Sequence, residues 1–381
     1  MLLNELIEEY SVRNKSAIGY PVYSVTNSQG FCKDYFGKEV ASKDKSTYKI
    51  VPYGYFAYNP SRINVGSIDW QYCEENVIVS PLYNVFKVNT NKIIQPYLQY
   101  YFKSRTVSVY INAFAKGTVR MNLSLATLGT FPIPLPPLET QSRIVSELDL
   151  LQSLIDKQKA QLAELDNLAQ CIFYDMFGDP VENEKGWEVK KLGSFCSKIG
   201  SGATPRGGNE SYKSEGISLI RSLNVHNNEF IYKDLAFIDE EQAQALSNVE
   251  IQLNDILLNI TGASVARCCI VPNQLLPARV NQHVCIIRPS KDAEVRFLSR
   301  LLTNSQYQVF LIDLARGKAA TREALPKNIV EGLPIILPPL SLQQSFAQKI
   351  ESIERQKELI NQSIREAQTL FDSRMEYYFG E

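Results

Sequence analysis

The sequence predicts an α+β protein: two similar globular domains separated by two long helices that pair as an antiparallel coiled coil, a pseudo-twofold internal repeat. Three observations predict it. The phrase FPIPLPPLETQ, beginning at Phe131, returns as LPIILPPLSLQ at Leu333. A shift of 202 residues superposes Pro132, Leu135, Pro136, Pro137, Leu138 and Gln141 on Pro334, Leu337, Pro338, Pro339, Leu340 and Gln343. Each phrase is followed by a long run whose apolar residues recur every 3.5 positions, the period of a coiled-coil seam.

The repeat extends well beyond the prolines. The same shift carries Phe177-Gly178-Asp179 onto Phe379-Gly380-Glu381, and a shift of 200 places Asn59 on Asn259 and Val65 on Val265. A shift of 197 lays GYPVYSVTN at Gly19 on GISLIRSLN at Gly216. Such drift means small insertions in loops, so the chain reads as two copies of one unit. The boundaries are 1–138 and 179–340 for the globular domains, and 139–178 and 341–381 for the helices.

In the first helix the seam runs through Ile144, Leu148, Leu151, Ile155, Leu162, Leu165 and Ile172. In the second it runs through Phe346, Ile350, Ile353, Ile360, Ile364 and Phe371. A rod of about 57 Å at 1.5 Å per residue cannot bury such a stripe alone, and the other copy is its economical partner. Gln158 and Lys357 interrupt the stripe, either to fix its register or as part of a solvated flank. Proline lacks an amide donor and biases the residue before it away from helix, so each LPPL phrase closes a globular domain. Glu139-Thr140 and Ser341-Leu342 then start the helices, with Ser341 as N-cap. The alternative role for these prolines is a ligand for an aromatic groove.

Composition narrows the function. Lys and Arg number 40 against 41 Asp and Glu. Residues 139–177 and 341–379 hold net charges of −4 and −1, which leaves the rest of the chain at +4 of the total −1. No apolar run approaches the roughly 18 residues of a membrane span, and the acidic N-terminus MLLNELIEEYS does not read as a signal peptide. Seven scattered cysteines suit reduced thiols, so a cytoplasmic protein is expected.

Polar clusters recur at corresponding places in the two copies. The first offers Asn59, Ser61, Arg62 and Asn64 in FAYNPSRINVGSI, Ser80 and Tyr83 in VIVSPLYNVF, and Lys116, Thr118, Arg120 and Asn122 in FAKGTVRMN. The second offers Asn259, Thr261 and Arg267 in ILLNITGASVAR, Asn281, Gln282 and His283 in RVNQHVCIIRP, and Arg316, Lys318, Thr321 and Arg322 in LARGKAATRE. The glycine-rich IGSGATPRGG adds Thr204 and Arg206. Asn, Gln and Arg match base edges, while Arg, Lys, Thr and amides beside glycine suit phosphate. Taken singly, such groups more commonly cap turns.

No catalytic apparatus or metal site emerges. The two histidines, His226 and His283, lack a nucleophile signature, and the glycine-rich loop lacks the lysine-hydroxyl ending of a P-loop. NPSR at Asn59 departs from the methyltransferase pattern at Ser61 and Arg62. Asp179, Glu188 and Lys190 faintly match a metal-dependent nuclease triad, which keeps a DNA-cleaving enzyme as one alternative. A coiled-coil assembly protein that binds no DNA is another.

With both LPPL phrases, the long helices, FAYNPSRINVGSI, VSPLY and NQHV, the chain resembles the specificity subunit of Type I restriction–modification systems over its whole length. The resemblance implies two target-recognition domains that each read half of a bipartite, asymmetric DNA site, with the helices as a ruler between them. It implies a non-catalytic subunit that recruits two methyltransferase subunits and, in the full complex, restriction subunits. No cofactor is then expected on this chain. S-adenosylmethionine belongs to the methyltransferase partners, and ATP and Mg to the restriction partners.

Overall fold

The computed structural model describes residues 1–380 except 17, 28, 34–43, 115–121, 206 and 318–322. The chain forms two compact units, one of residues 1–160 with 361–381 and the other of residues 161–360. The expected helix segments 139–178 and 341–381 each cross the division between these units. The central helix (Leu138–Phe177) and the C-terminal helix (Leu340–Phe379) are not bodies of their own, because each gives part of its length to each unit.

The first unit is built on a four-stranded antiparallel sheet. Its strands are β1 (Ile7–Glu9), β2 (Phe56–Tyr58), β3 (Ile68–Trp70) and β4 (Asn84–Val88), in the order β1-β4-β2-β3. Side chains alternate between the faces of a strand. Phe56, Tyr58 and Phe86 therefore enter a core with helices α1 (Gln95–Lys103) and α2 (Arg105–Phe114), while Ala57 and Val85 enter a smaller core on the other face. That second core is covered by the hairpin Tyr23–Thr26 with Gly30–Lys33 and by the pair Lys49–Pro52 with Asn76–Val79.

The second unit repeats the sheet with β5 (Cys196–Ser201), β6 (Ile256–Asn259), β7 (Cys268–Ile270) and β8 (Val284–Pro289), in the order β5-β8-β6-β7. Ile256, Leu258 and Ile287 face a core with α3 (Val295–Leu302) and α4 (Ser305–Arg316); Leu257 and Ile286 face the opposite core. Burial on both faces explains why ILL and VCII are continuous apolar runs. Here the second core lies under a different sheet, Ala236–Ile238, Ile217–Ile220 and Ala278–Val280, in which the last two strands are parallel. Thus the scaffold is shared and the layer laid over it is not.

The proline phrases lock helix to domain. Gln141 is fully buried: its Nε2 donates to the carbonyls of Pro136 and Lys92 at 2.8 Å, and its Oε1 accepts from the Ile94 amide at 3.0 Å. Gln343, equally buried, donates to the Pro338 carbonyl at 2.7 Å and accepts from the Glu294 amide at 2.9 Å. Tyr97 and Tyr307 donate to the Pro134 and Pro334 carbonyls, both at 2.9 Å. With their carbonyls engaged inside the fold, the prolines are structural joints; a free groove ligand is not what they form. The helices begin at Leu138 and Leu340, one residue earlier than expected, and Ser341 lies inside the first turn, so it is not the cap. The Pro137 and Pro339 carbonyls instead accept the first helical amides, from Gln141 and Gln343.

In the first unit Gln158 Nε2 donates to Ser363 Oγ at 2.5 Å, and Arg374 pairs with Glu147 at 2.8 Å. In the second, Lys357 pairs with Asp166 at 2.7 Å. Partner numbers that fall as the others rise mark an antiparallel pairing. The two polar interruptions therefore make cross-helix bonds and are not a solvated flank. Ile144, Leu148, Ile155, Phe346, Ile350 and Ile353 are buried; Leu151, Leu162, Leu165, Ile172, Ile360, Ile364 and Phe371 are half-buried. At the helix ends full burial moves one position on, to Phe173 and Phe177 and to Met375 and Phe379. There the helix leaves a two-helix seam and fills a globular core. Phe177 packs on Phe297 at 4.8 Å and Phe379 on Tyr97 at 5.1 Å, so each repeat's helix ends in the unit that holds the other repeat's globular part.

Candidate nucleic-acid interface

The turn after β2 is shaped by its own side chain. Asn59 Oδ1 accepts the Ser61 amide at 3.0 Å and its carbonyl accepts the Arg62 amide at 2.9 Å. Gly66 closes the turn at φ +81°, a left-handed conformation that glycine adopts without strain. Ser61, Arg62 and Asn64 are left exposed, as is Asn122. In the following turn Ser80 Oγ accepts the Leu82 amide at 3.5 Å and holds Leu82 outward at 75% exposure. Tyr83 is a correction: it is buried in the smaller core, with its hydroxyl accepting the Val25 amide at 3.4 Å, and it reaches no surface ligand. Lys116, Thr118 and Arg120 lie outside the described residues.

In the second unit, four of the proposed residues come together. Thr204 Oγ1 donates to Gln282 Oε1, and Gln282 Nε2 lies 3.2 Å from His283 Nε2. His283 Nδ1 lies 2.6 Å from Thr261 Oγ1. An amide nitrogen only donates, so His283 Nε2 is the acceptor and the ring proton sits on Nδ1, directed at Thr261. Arg267 lies 3.5 Å from His226, and Arg316 pairs with Glu323 at 3.0 Å. Glu323 is joined to this patch through its carbonyl, which accepts the Gly262 amide at 3.0 Å.

Two further assignments are corrected here. Asn259 is fully buried, with Nδ2 donating to the Ser222 and Val225 carbonyls at 2.9 and 3.3 Å. Asn281 is 5% exposed, and its Oδ1 accepts the His283 amide at 3.0 Å. Both shape turns that other residues occupy. Arg206, Lys318, Thr321 and Arg322 lie outside the described residues. The glycine-rich loop is fastened at Gly202, whose amide donates to the Asn281 carbonyl at 3.1 Å; a Cβ there would stand 1.7 Å from the Val280 carbonyl oxygen.

The register shows which turns correspond. The Asn59 and Asn259 amides each donate to the carbonyl eight residues on, of Ser67 and Arg267, yet Phe56 faces Phe86 whereas Ile256 faces Ile287. Ser80 therefore matches Asn281, and Pro81-Leu82 matches Gln282-His283, a pairing that the uniform shift of 200 misplaces by one. Leu82 and His226 were not among the expected interface residues. Both copies share a side-chain acceptor that binds the amide two residues on, Ser80 to Leu82 and Asn281 to His283.

The alternative chemistry finds no support in the geometry. Asp179 Oδ1 accepts the Val181 and Glu182 amides at 2.7 and 3.2 Å, and Glu188 pairs with Lys190 at 3.4 Å near the surface. Among the described residues no three His, Cys, Asp or Glu side chains converge as metal ligands, and no helix is long and apolar enough to cross a membrane. All seven cysteines are unpaired.

Comparison with known proteins gives one answer. The Type I restriction modification DNA specificity domain matches residues 7–167 and again 184–369. The putative Type I restriction enzyme MjaX specificity subunit of Methanocaldococcus jannaschii is 24% identical over 376 residues, covering 90% of this chain and 82% of that one. The MjaIX specificity subunit of the same organism is 27% identical over 68% of this chain, and the match spans 62% of the relative's length. The EcoBI specificity subunit of Escherichia coli is 23% identical over 87% of this chain and 74% of its own. Among solved structures, the S subunit of a Type I system from M. genitalium aligns over 100% of this chain and 96% of its own, with a TM-score of 0.58 and 12% identity. A chain from a study of complex assembly and conformational transition in a type I R-M system gives a TM-score of 0.60 at 19% identity, over 100% of this chain and 96% of that one. With its family domain matched twice, once in each half, the chain belongs to the Type I restriction–modification specificity subunits, the DNA-recognition components of those systems rather than their catalysts.

Proposed function

We propose that this chain recognises a bipartite, asymmetric DNA site, one half read by each unit, and scaffolds two methyltransferase subunits and, in a full complex, restriction subunits. The observation that carries this reading is the pair of matched turns. On one four-stranded scaffold, the same register position presents Pro81-Leu82 in the first unit and Gln282-His283 in the second. An apolar tip suits a thymine methyl, and a polar tip suits base-edge donors and acceptors, so a shared frame would read two unlike sequences. The exposed Arg62 and the positive balance of the globular segments supply phosphate attraction.

On this reading the chain holds no cofactor of its own and works in the cytoplasm. S-adenosylmethionine is bound by the methyltransferase partners, and ATP with Mg by the restriction partners. The paired helices set the number of unread base pairs between half-sites. Random-site selection with the chain reconstituted with its methyltransferase subunits tests the proposal. It should return a split motif whose affinity falls steeply with salt; selection of no motif, or of one continuous motif, would refute it.

A further inference from the structure

We infer that Gln282 is the side chain with which the second unit reads an adenine, its amide held in the reading orientation by Thr204 and His283. The inference rests on the DNA-reading function proposed above and names one base contact within it. Gln282 is exposed at the tip of the turn between Ala278–Val280 and β8. A glutamine there would ordinarily sample many rotamers, and binding would have to arrest them. Here the arrest is already made: Thr204 Oγ1 donates to Oε1, and Nε2 donates to His283 Nε2 at 3.2 Å. The imidazole is itself fixed by Thr261 at 2.6 Å and by its own amide on Asn281 Oδ1 at 3.0 Å. Beneath the turn, Gly202 lies too close to the Val280 carbonyl to admit any side chain. This is preorganisation built from the fold.

After those two bonds the amide keeps one N–H and one lone pair of Oε1. In the major groove adenine offers the complement, an N7 acceptor beside an N6 donor. Guanine offers two acceptors, which would leave Oε1 facing O6, and cytosine offers only its N4 donor. The matched tip in the first unit, Pro81-Leu82, carries no amide and cannot make this contact.

The experiment is random-site selection with the full chain in complex with its methyltransferase subunits, comparing wild type with Gln282→Ala, Gln282→Glu, Thr261→Val and Leu82→Ala. Gln282→Ala should reduce the preference for adenine at one position of one half-site by roughly tenfold to a hundredfold, the span of one bidentate amide–adenine contact. Gln282→Glu should move that position toward cytosine, whose N4 a carboxylate accepts. Thr261→Val should weaken the same position by less, as expected of a positioning residue, and Leu82→Ala should leave it alone. The salt dependence should not change, because no phosphate contact is lost. A motif that survives both Gln282 substitutions unchanged overturns this inference and leaves the functional reading standing. A wild-type complex that selects no motif overturns the functional reading itself.

Discussion

Lys87 and Arg288 occupy the same register position in the two units, each one residue beyond the sheet contact of Phe86 or Ile287. Lys87 pairs at 2.9 Å with Glu8 on the neighbouring strand, with both side chains exposed. Arg288 makes a two-pronged bridge to Asp255, Nε to Oδ1 and Nη2 to Oδ2, both at 2.7 Å, and Asp255 is fully buried. The position of Asp255 belongs in the first unit to Tyr55, which packs edge-on against Tyr10 at 4.9 Å. A second exchange lies on the next strand, where Asp69 faces Ala57 and Cys269 faces Leu257. Burial pushes the Asp69 carboxyl up to about 6 against the opposing pull of the Trp70 amide, and pushes the Cys269 thiol up to about 12. One scaffold thus tolerates an ion pair or an aromatic pair, an acid or a thiol, because backbone pairing and the main core fix the sheet.

The comparison can be broken most forcefully at the buried pair. Arg288→Met strands the Asp255 carboxylate and should cost the second unit about 3–5 kcal/mol, whereas Lys87→Met should leave the first unit's transition in place. Each unit holds one of the two tryptophans, Trp70 and Trp187, so urea unfolding of single-tryptophan variants reads the units separately. Equal sensitivity of both transitions would dissolve the distinction.

Asp69 sharpens it. A carboxyl whose folded value lies above its ordinary 3.8 contributes stability that is complete below 3.8 and lost as pH rises through about 6. Relative to Asp69→Asn, wild type should therefore lose up to about 3 kcal/mol in the first unit between pH 4 and pH 7. A difference that grows in favour of wild type over that window would mean the carboxylate is stabilised, not penalised, by its surroundings.

The smallest effect tests what the units share. Gln141→Leu and Gln343→Leu each leave buried backbone groups unpaired and should cost about 1–3 kcal/mol, one in each unit. Markedly unequal losses would show that the two joints, for all their common spelling, do not hold their helices in the same way.

Much of the fold was legible because it is periodic or repeated. The echo of LPPL, the 3.5-residue stripe and the glutamine that follows each phrase are local signals, and local signals survive in one dimension. The candidate site was less legible. Asn259, Asn281 and Tyr83 share the polar look of the surface residues beside them, and only burial separates a turn-shaping amide from a reading one. Leu82 was overlooked because an apolar residue between two strands reads as core until its exposure is known.

By itself the sequence determined the doubling, the two helices, their seam and the proline joints, since hydrophobic period and proline's missing donor act over a few residues. Tertiary structure alone decided three things. It decided which globular core each helix end completes, because burial is satisfied by whichever apolar surface lies within reach in space. It decided the one-residue difference that aligns Leu82 with His283, because strand register is set by pairing across the sheet. And it decided that Thr204, Gln282, His283 and Thr261, far apart in the chain, share one hydrogen-bonded patch.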